Sequence, residues 1–229
     1  MADAALFRRT AAATGLVGSA VLAAAATLVH QTTSGGVPTA VLDDLQRDPA
    51  AGRVSAVLFV LQGLAAIVAA LAIGHLLRDR PPVLSSVGAG LAALGAFAEA
   101  VATTFTLAFV PMAQDPAHRA AYVSVIDQAD RVQNLFGLVG LVGTVVGTLL
   151  LSIGLFRAHV GPRWVAPAIW AFLVLEFVGS GIAPAVGFAA VSLGVIAYTA
   201  LAVTAWNSPR TAWMTATEAS ANVLEPTTA

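Results

Sequence analysis

Lysine and cysteine are both absent from this chain of 229 residues, and each absence excludes whole classes of function. Without lysine there is no amine for a Schiff base, which excludes retinal proteins, pyridoxal enzymes and lysine-dependent phosphate loops. Without cysteine there is no thiol nucleophile, disulfide, iron–sulfur cluster or thiolate zinc site. We expect no cofactor and no bound metal.

Charged residues of either sign are also scarce. They make up 10% of the chain, against about 25% in a typical soluble domain, while 58% of the residues are hydrophobic. This composition excludes a soluble fold. The net charge is −1, so the chain has no basic surface of the kind that nucleic acid requires. The lipid bilayer is the expected partner, and nucleic acid is not.

Six apolar stretches are long enough to cross a bilayer, whose core of about 30 Å needs about 20 apolar residues as a helix. Long unbroken apolar runs do not fit the alternating polarity of a barrel strand. The predicted spans are Ala11–Val29, Val54–Leu77, Val83–Met112, Val132–Phe156, Trp164–Ile182 and Ala185–Trp206. The predicted fold is therefore all-α, a polytopic transmembrane helical bundle. Residues 1–206 form one domain, and 207–229 form a mobile polar tail.

Arginine placement predicts the orientation of the bundle. If the N-terminus is cytoplasmic, seven arginines lie on the inner side and four on the outer side, as expected from the arginine bias of cytoplasmic loops. Both termini are then cytoplasmic, in a plasma or inner membrane. A cleaved signal peptide is the alternative for the first span, because Arg8 and Arg9 precede an alanine-rich run. That run is long for a signal core, which favours a retained span.

Two segments on the predicted outer side carry helix signals. The first contains an amphipathic patch around Val41–Leu45. The second contains Asp115-Pro116, a capping acid before proline that predicts a helix start. Beyond it, Tyr122, Val123 and Ile126 predict a surface helix that leads into span four.

Glu99 and Glu176 are the only carboxylates inside the predicted spans. An acid at mid-bilayer costs about 2.5–3.5 kcal/mol on insertion scales, so it seldom faces lipid and is functional by default. Counted along their helices, both acids lie at a similar depth in the outer half of the membrane. We expect them to border one polar cavity that opens outward. The other predicted ligand-binding residues are Gln62, Thr103, Gln133, Asn134 and Ser180.

Small residues predict where helices approach closely. Gly88, Ala92, Gly95, Glu99 and Thr103 follow one another at helical spacing, so they form one stripe on span three. Span four carries its own glycines, Gly137, Gly140, Gly143 and Gly147. These glycines are expected to allow close helix packing, either within the chain or between copies in a homo-oligomer.

Three functions fit these residues. The first is binding or transport of a small hydrophobic or amphipathic compound, with Glu99 and Glu176 as recognition or proton-coupling groups. The second is an intramembrane cyclase or isomerase of a lipid-like isoprenoid or polyketide, in which the two acids are catalytic and a neutral carboxylic acid protonates the substrate. The third is a structural or accessory subunit, in which the acids only tie helices together.

Three short motifs resemble those of a bacterial family of six-helix integral membrane proteins, known as a domain of unknown function. They are Arg9-Thr10-Ala11 at the start of helix one, Glu99-Ala100 in helix three and the Pro162-Arg163-Trp164 turn. The resemblance covers most of residues 8–206. Members often carry a glutamate where this chain has Gln62, and Glu176 has no clear counterpart. The resemblance implies six-helix architecture and no particular activity.

Overall fold

The computed structural model describes residues 2–29, 37–79, 82–179 and 184–215, and within these ranges the chain is helical without a β-strand. The helices are α1 (Ala2–Val29), α2 (Pro38–Arg47), α3 (Pro49–Leu76), α4 (Pro82–Ala113), α5 (Arg119–Ala158), α6 (Val165–Val174) and α7 (Pro184–Asn207). A π-helical turn, Leu175–Gly179, continues α6. Short 3₁₀ turns lie at Pro116–His118 and Arg210–Trp213.

Proline marks the first residue of α2, α3, α4 and α7. Because proline lacks an N–H and has a fixed φ, it suits the first helical turn. The Asp115 side chain accepts a hydrogen bond from the Ala117 amide at 3.1 Å, which confirms the predicted helix start there. Asp48 likewise accepts from the Ala51 amide at 2.9 Å, so α3 begins before the predicted Val54.

Within the described residues, five helices are long and apolar enough to span a membrane: α1, α3, α4, α5 and α7. The sixth predicted span corresponds to a shorter apolar helix, Val165–Val178. The predicted all-α membrane bundle is confirmed, and the chain is a multi-pass membrane protein. The first predicted span belongs to that bundle, because α1 packs against both α3 and α7.

The six apolar helices form a closed ring. Each packs against the next in the order α1, α3, α4, α5, α6 and α7, and α7 returns to pack against α1. The largest core cluster draws on all six, with Leu16, Ile73, Ala92, Leu155 and Leu201 among its buried members. A ring of this kind places inward-facing side chains from every helix around one axis.

The contact between α4 and α5 is close because glycine faces glycine. A Cβ added to Gly95 would lie 2.7 Å from the Gly143 carbonyl carbon, and one added to Gly147 would lie 2.2 Å from the Ala92 nitrogen. The small-residue stripe on α4 therefore packs against a neighbouring helix, as predicted. Gly143 and Gly147 pack against α4 of the same chain, whereas Gly137 has open space around it. A homo-oligomer contact at Gly137 stays a prediction.

A second, smaller cluster forms at the ring end opposite the start of α1 and the end of α7. The amphipathic helix α2 buries Leu42 and Leu45 against Phe109 and Val110 of α4 and Ile126 of α5. We call this cluster the α2 cap. Its Asp43 pairs with Arg119 at the start of α5.

Helix α5 is longer than the crossing of a bilayer core requires. Its 40 residues extend about 60 Å, about twice the hydrocarbon core. The predicted surface helix at Tyr122, Val123 and Ile126 is the first part of this unbroken α5 and leads directly into span four.

The segment 208–215 packs against the other end of the ring, where a mobile tail from residue 207 was predicted. Trp213 is only 2% exposed and stacks on His75 with ring centroids 5.0 Å apart. Arg8 donates to the Trp213 carbonyl at 2.7 Å, and Arg78 donates to the Met214 carbonyl at 3.0 Å. Residues 216–229 lie outside the described residues.

Candidate ligand cavity

A cavity of about 140 Å³ lies inside the ring, and all six ring helices contribute to its wall. Along α3 the wall runs from Phe59 to Ile73, a rise of about 20 Å. Most of the lining side chains are apolar. The polar lining residues are Ser19, Thr27, Gln62, Glu99, Thr144, Thr148, Ser152, Glu176 and Tyr198.

Glu99 is held at the close contact between α4 and α5. A Cβ on Gly140 would lie 2.7 Å from the Glu99 Cγ, so the absence of a side chain at 140 makes room for the acid. The Thr144 hydroxyl lies beside the Glu99 carboxyl. One turn further along α4, the Thr103 hydroxyl donates to the Glu99 carbonyl at 2.8 Å.

Glu176 reaches the same cavity from the π-helical turn that follows α6. π-helical turns are rare and occur frequently at functional sites. The two carboxyl groups are close enough to interact electrostatically. They come from helices that are separated in the ring by α5, so the cavity is what brings them together.

The polar groups gather at the end of the cavity nearer the α2 cap. Glu99 is the last lining residue along α4, and Glu176 is the last along the α6 segment. Both stretches run away from the end of the ring that carries the start of α1 and the end of α7. The opposite end is formed mainly by apolar residues such as Ile73, Leu155 and Ile169. The cavity is therefore amphipathic along its length.

Three of the predicted ligand-binding residues meet at this cavity, namely Gln62, Glu99 and Glu176. Thr103 is half-buried next to the site and is not part of the wall.

Two further predicted residues lie elsewhere. Gln133 and Asn134, which were predicted to lie with the acids, do not line this cavity. Asn134 is exposed and donates to Asp130 at 2.9 Å. Both lie about 10 Å along α5 from Gly140, the residue that contacts Glu99. Ser180 falls outside the described residues.

Sequence reasoning missed Thr144, Thr148 and Tyr198. A usable signal existed for the threonines, because Gly140, Thr144, Thr148 and Ser152 repeat every four residues and share one helix face. Tyr198 lies in an apolar run of α7 with nothing nearby to mark it. It lines the cavity beside Thr148 and within electrostatic range of Glu99.

The part of the chain that the structure describes offers few clustered side chains that could bind a metal ion. No group of three or more histidine, cysteine, aspartate or glutamate side chains comes together there. The two carboxyls of the cavity stand among hydroxyls, one amide and apolar groups. That donor set suits hydrogen bonding and charge recognition.

Residues 11–217 match the family model described as Domain of unknown function (DUF4386). The matched range takes in the helices of the ring and the packed segment that follows α7. No curated protein and no solved structure matches the chain.

Proposed function

The chain belongs to this family of unknown function, and from its cavity we propose that it binds or transports a small hydrophobic or amphipathic compound within the membrane. Glu99 and Glu176 act as the recognition or proton-coupling groups. The supporting observation is that these two acids, on helices that are not neighbours in the ring, line one cavity. In this proposal the termini are cytoplasmic and the acids lie in the outer half of a bacterial plasma or inner membrane.

Empty volume beside the acids favours ligand binding over a purely structural role. Acids that only tie helices together need a partner group and no open space. Glu99 and Glu176 border about 140 Å³ of unfilled volume in addition to the groups that they contact. Burying an ionisable group next to a void is costly unless something polar enters it.

The size of the cavity supports a small compound over the lipid-like substrate of the enzyme alternative. An engineered cavity of about 150 Å³ holds one benzene molecule. A cavity of about 140 Å³ therefore suits a compound of about ten non-hydrogen atoms or fewer. An isoprenoid or polyketide of lipid-like length exceeds that volume.

Packing within the chain supports ligand binding over the accessory-subunit alternative. It relied on the small-residue stripe of α4 and on Gly143 and Gly147 as surfaces for another chain. These surfaces already pack against each other.

The test is titration calorimetry of the purified chain in lipid nanodiscs with small amphipathic compounds of about ten non-hydrogen atoms or fewer. We expect saturable binding that Glu99→Gln abolishes, while the variant still inserts and folds because glutamine has nearly the same shape. Asp127→Asn is the matched control, since Asp127 is exposed on α5 and away from the cavity. Full binding by Glu99→Gln would contradict the proposal.

A further inference from the structure

We infer that the occupant of this cavity is an organic ammonium ion, a positively charged amine carried on a slender apolar body. The inference rests on the proposed function and specifies the ligand that the site takes. It follows from the charges in the wall, from the aromatic and hydroxyl groups around them, and from the apolar half of the cavity.

The charges in the wall are all of one sign. Among the lining residues that the structure describes, the two carboxyls of Glu99 and Glu176 occur without any arginine or histidine. An anionic ligand would meet two acids and no cation. An ammonium ion brings a positive charge to this negative wall and up to three N–H donors for the carboxyl oxygens.

Aromatic rings line the same cavity. Phe59, Phe172 and Tyr198 are part of the wall. The face of an aromatic ring attracts a cation, and the attraction grows when both partners are removed from water. These rings therefore favour a cation over a neutral group of the same size.

A buried hydroxyl lies beside the acids. Thr144 Oγ1 is shielded from solvent next to the Glu99 carboxyl. A threonine oxygen can accept hydrogen bonds, so an N–H group bound at the Glu99 carboxyl would have a second acceptor within reach.

The apolar half of the cavity argues for an organic cation and against a bare metal ion. Ile73, Leu155 and Ile169 offer no ligand atoms for a metal. They match the alkyl or aryl part of an amine whose charged end lies at the two acids. The length of the cavity, about 20 Å along α3, favours a slender molecule over a bulky one.

The experiment compares three probes of nearly equal size that differ in charge: n-hexylammonium, 1-hexanol and hexanoate. Binding to the chain in lipid nanodiscs is measured by titration calorimetry at neutral pH, with partition into protein-free nanodiscs subtracted. We expect hexylammonium to bind at least tenfold more tightly than 1-hexanol. Hexanoate should bind more weakly than either.

Variants separate charge recognition from the existence of the site. Glu99→Gln and Glu176→Gln should each abolish hexylammonium binding and weaken 1-hexanol binding to a smaller extent. Ala20→Leu, which fills part of the cavity from α1, should weaken both probes. Asp127→Asn should change neither.

The outcomes distinguish the two claims. If 1-hexanol binds as tightly as hexylammonium and Ala20→Leu weakens both, the ammonium inference is overturned while the proposed function stands. If none of the three probes binds saturably, both are overturned. If hexylammonium binds but Ala20→Leu and both glutamine variants leave its affinity unchanged, it binds outside the cavity and the inference is again overturned.

Discussion

At the scale of single residues, Asp115 organises the turn between α4 and α5. Its carboxylate accepts hydrogen bonds from His118 Nδ1 at 2.8 Å, from the Tyr122 hydroxyl at 3.0 Å and from the Ala117 amide at 3.1 Å. The hydrogen bond from His118, followed by that from Tyr122, holds the pKa of Asp115 below its ordinary value. One short side chain thus fixes the start of the longest helix.

Replacing this carboxylate should lower stability in a pH-dependent way. Because the pKa of Asp115 is lower in the folded state, its contribution is present above the unfolded value of 3.8 and is lost as the pH falls below it. We expect Asp115→Asn to lower the melting temperature at pH 6 and to lower it much less at pH 3. Thermal unfolding of both proteins at the two pH values checks this, and an equal deficit at both would contradict it.

The residues of the cavity were predictable to different degrees. Glu99 and Glu176 stand out in the sequence because an acid inside an apolar run is costly. Tyr198 does not stand out, since a tyrosine in an apolar helix carries no such penalty. Gln133 and Asn134 lie apart from this cavity. Hydropathy shows the apolar part of a helix and not its full length, so it does not place such residues along α5.

At the scale of helices, the glycines of α5 set the distance to α4. Gly147→Ala should force the two helices apart, because the new Cβ would lie 2.2 Å from the backbone nitrogen of Ala92. We expect a loss of about 1–3 kcal/mol, the usual range for overpacking. Unfolding in detergent, followed by circular dichroism, measures it.

Gly137→Ala on the same helix is the matched control. No atom lies within 4 Å of the Cβ that it would add. Since alanine is favoured over glycine in a helix by about 1 kcal/mol, this variant should be as stable as the parent or more so. Equal losses from both substitutions would show that packing at Gly147 is not the cause.

The ends and irregularities of the helices were less predictable than their existence. Helix α1 begins at Ala2 and α5 at Arg119, well before the apolar runs that revealed them. The π-helical turn that carries Glu176 left no trace in the sequence. Where nearly every position is apolar, periodicity cannot distinguish one helical register from another.

At the scale of the whole molecule, the segment after α7 ties the two ends of the chain together. Trp213 stacks on His75 of α3, and its carbonyl accepts a hydrogen bond from Arg8 of α1. His75 also contacts the Ala212 carbonyl at 2.9 Å. The polar composition of the tail hid this packing, because one buried tryptophan carries most of it.

Removing the indole side chain of Trp213 should therefore destabilise the bundle. Trp213 is 2% exposed, and truncating a buried tryptophan to alanine costs about 3–5 kcal/mol. We expect Trp213→Ala to lower the unfolding free energy by an amount in that range. Trp164→Ala is the control, since Trp164 is 47% exposed and should cost much less. A similar loss for both variants would mean that 208–215 does not pack as described.

The closed ring is the feature that sequence alone could not supply. Six apolar runs predict six helices, but their order around an axis depends on which faces fit together. The stripe on α4 indicated one such fit, with α5. The return contact between α7 and α1, which closes the cavity, had no comparable signal.

The most direct test of the central claim is cysteine cross-linking between positions 99 and 176. The chain has no cysteine of its own, so an introduced pair is observed without background. With a short bifunctional methanethiosulfonate reagent in membranes, Glu99→Cys combined with Glu176→Cys should cross-link efficiently. Glu99→Cys combined with Val178→Cys should not, since Val178 lies in the same turn and is 67% exposed. Cross-linking of the 99/178 pair without the 99/176 pair would show that the two acids do not share a cavity.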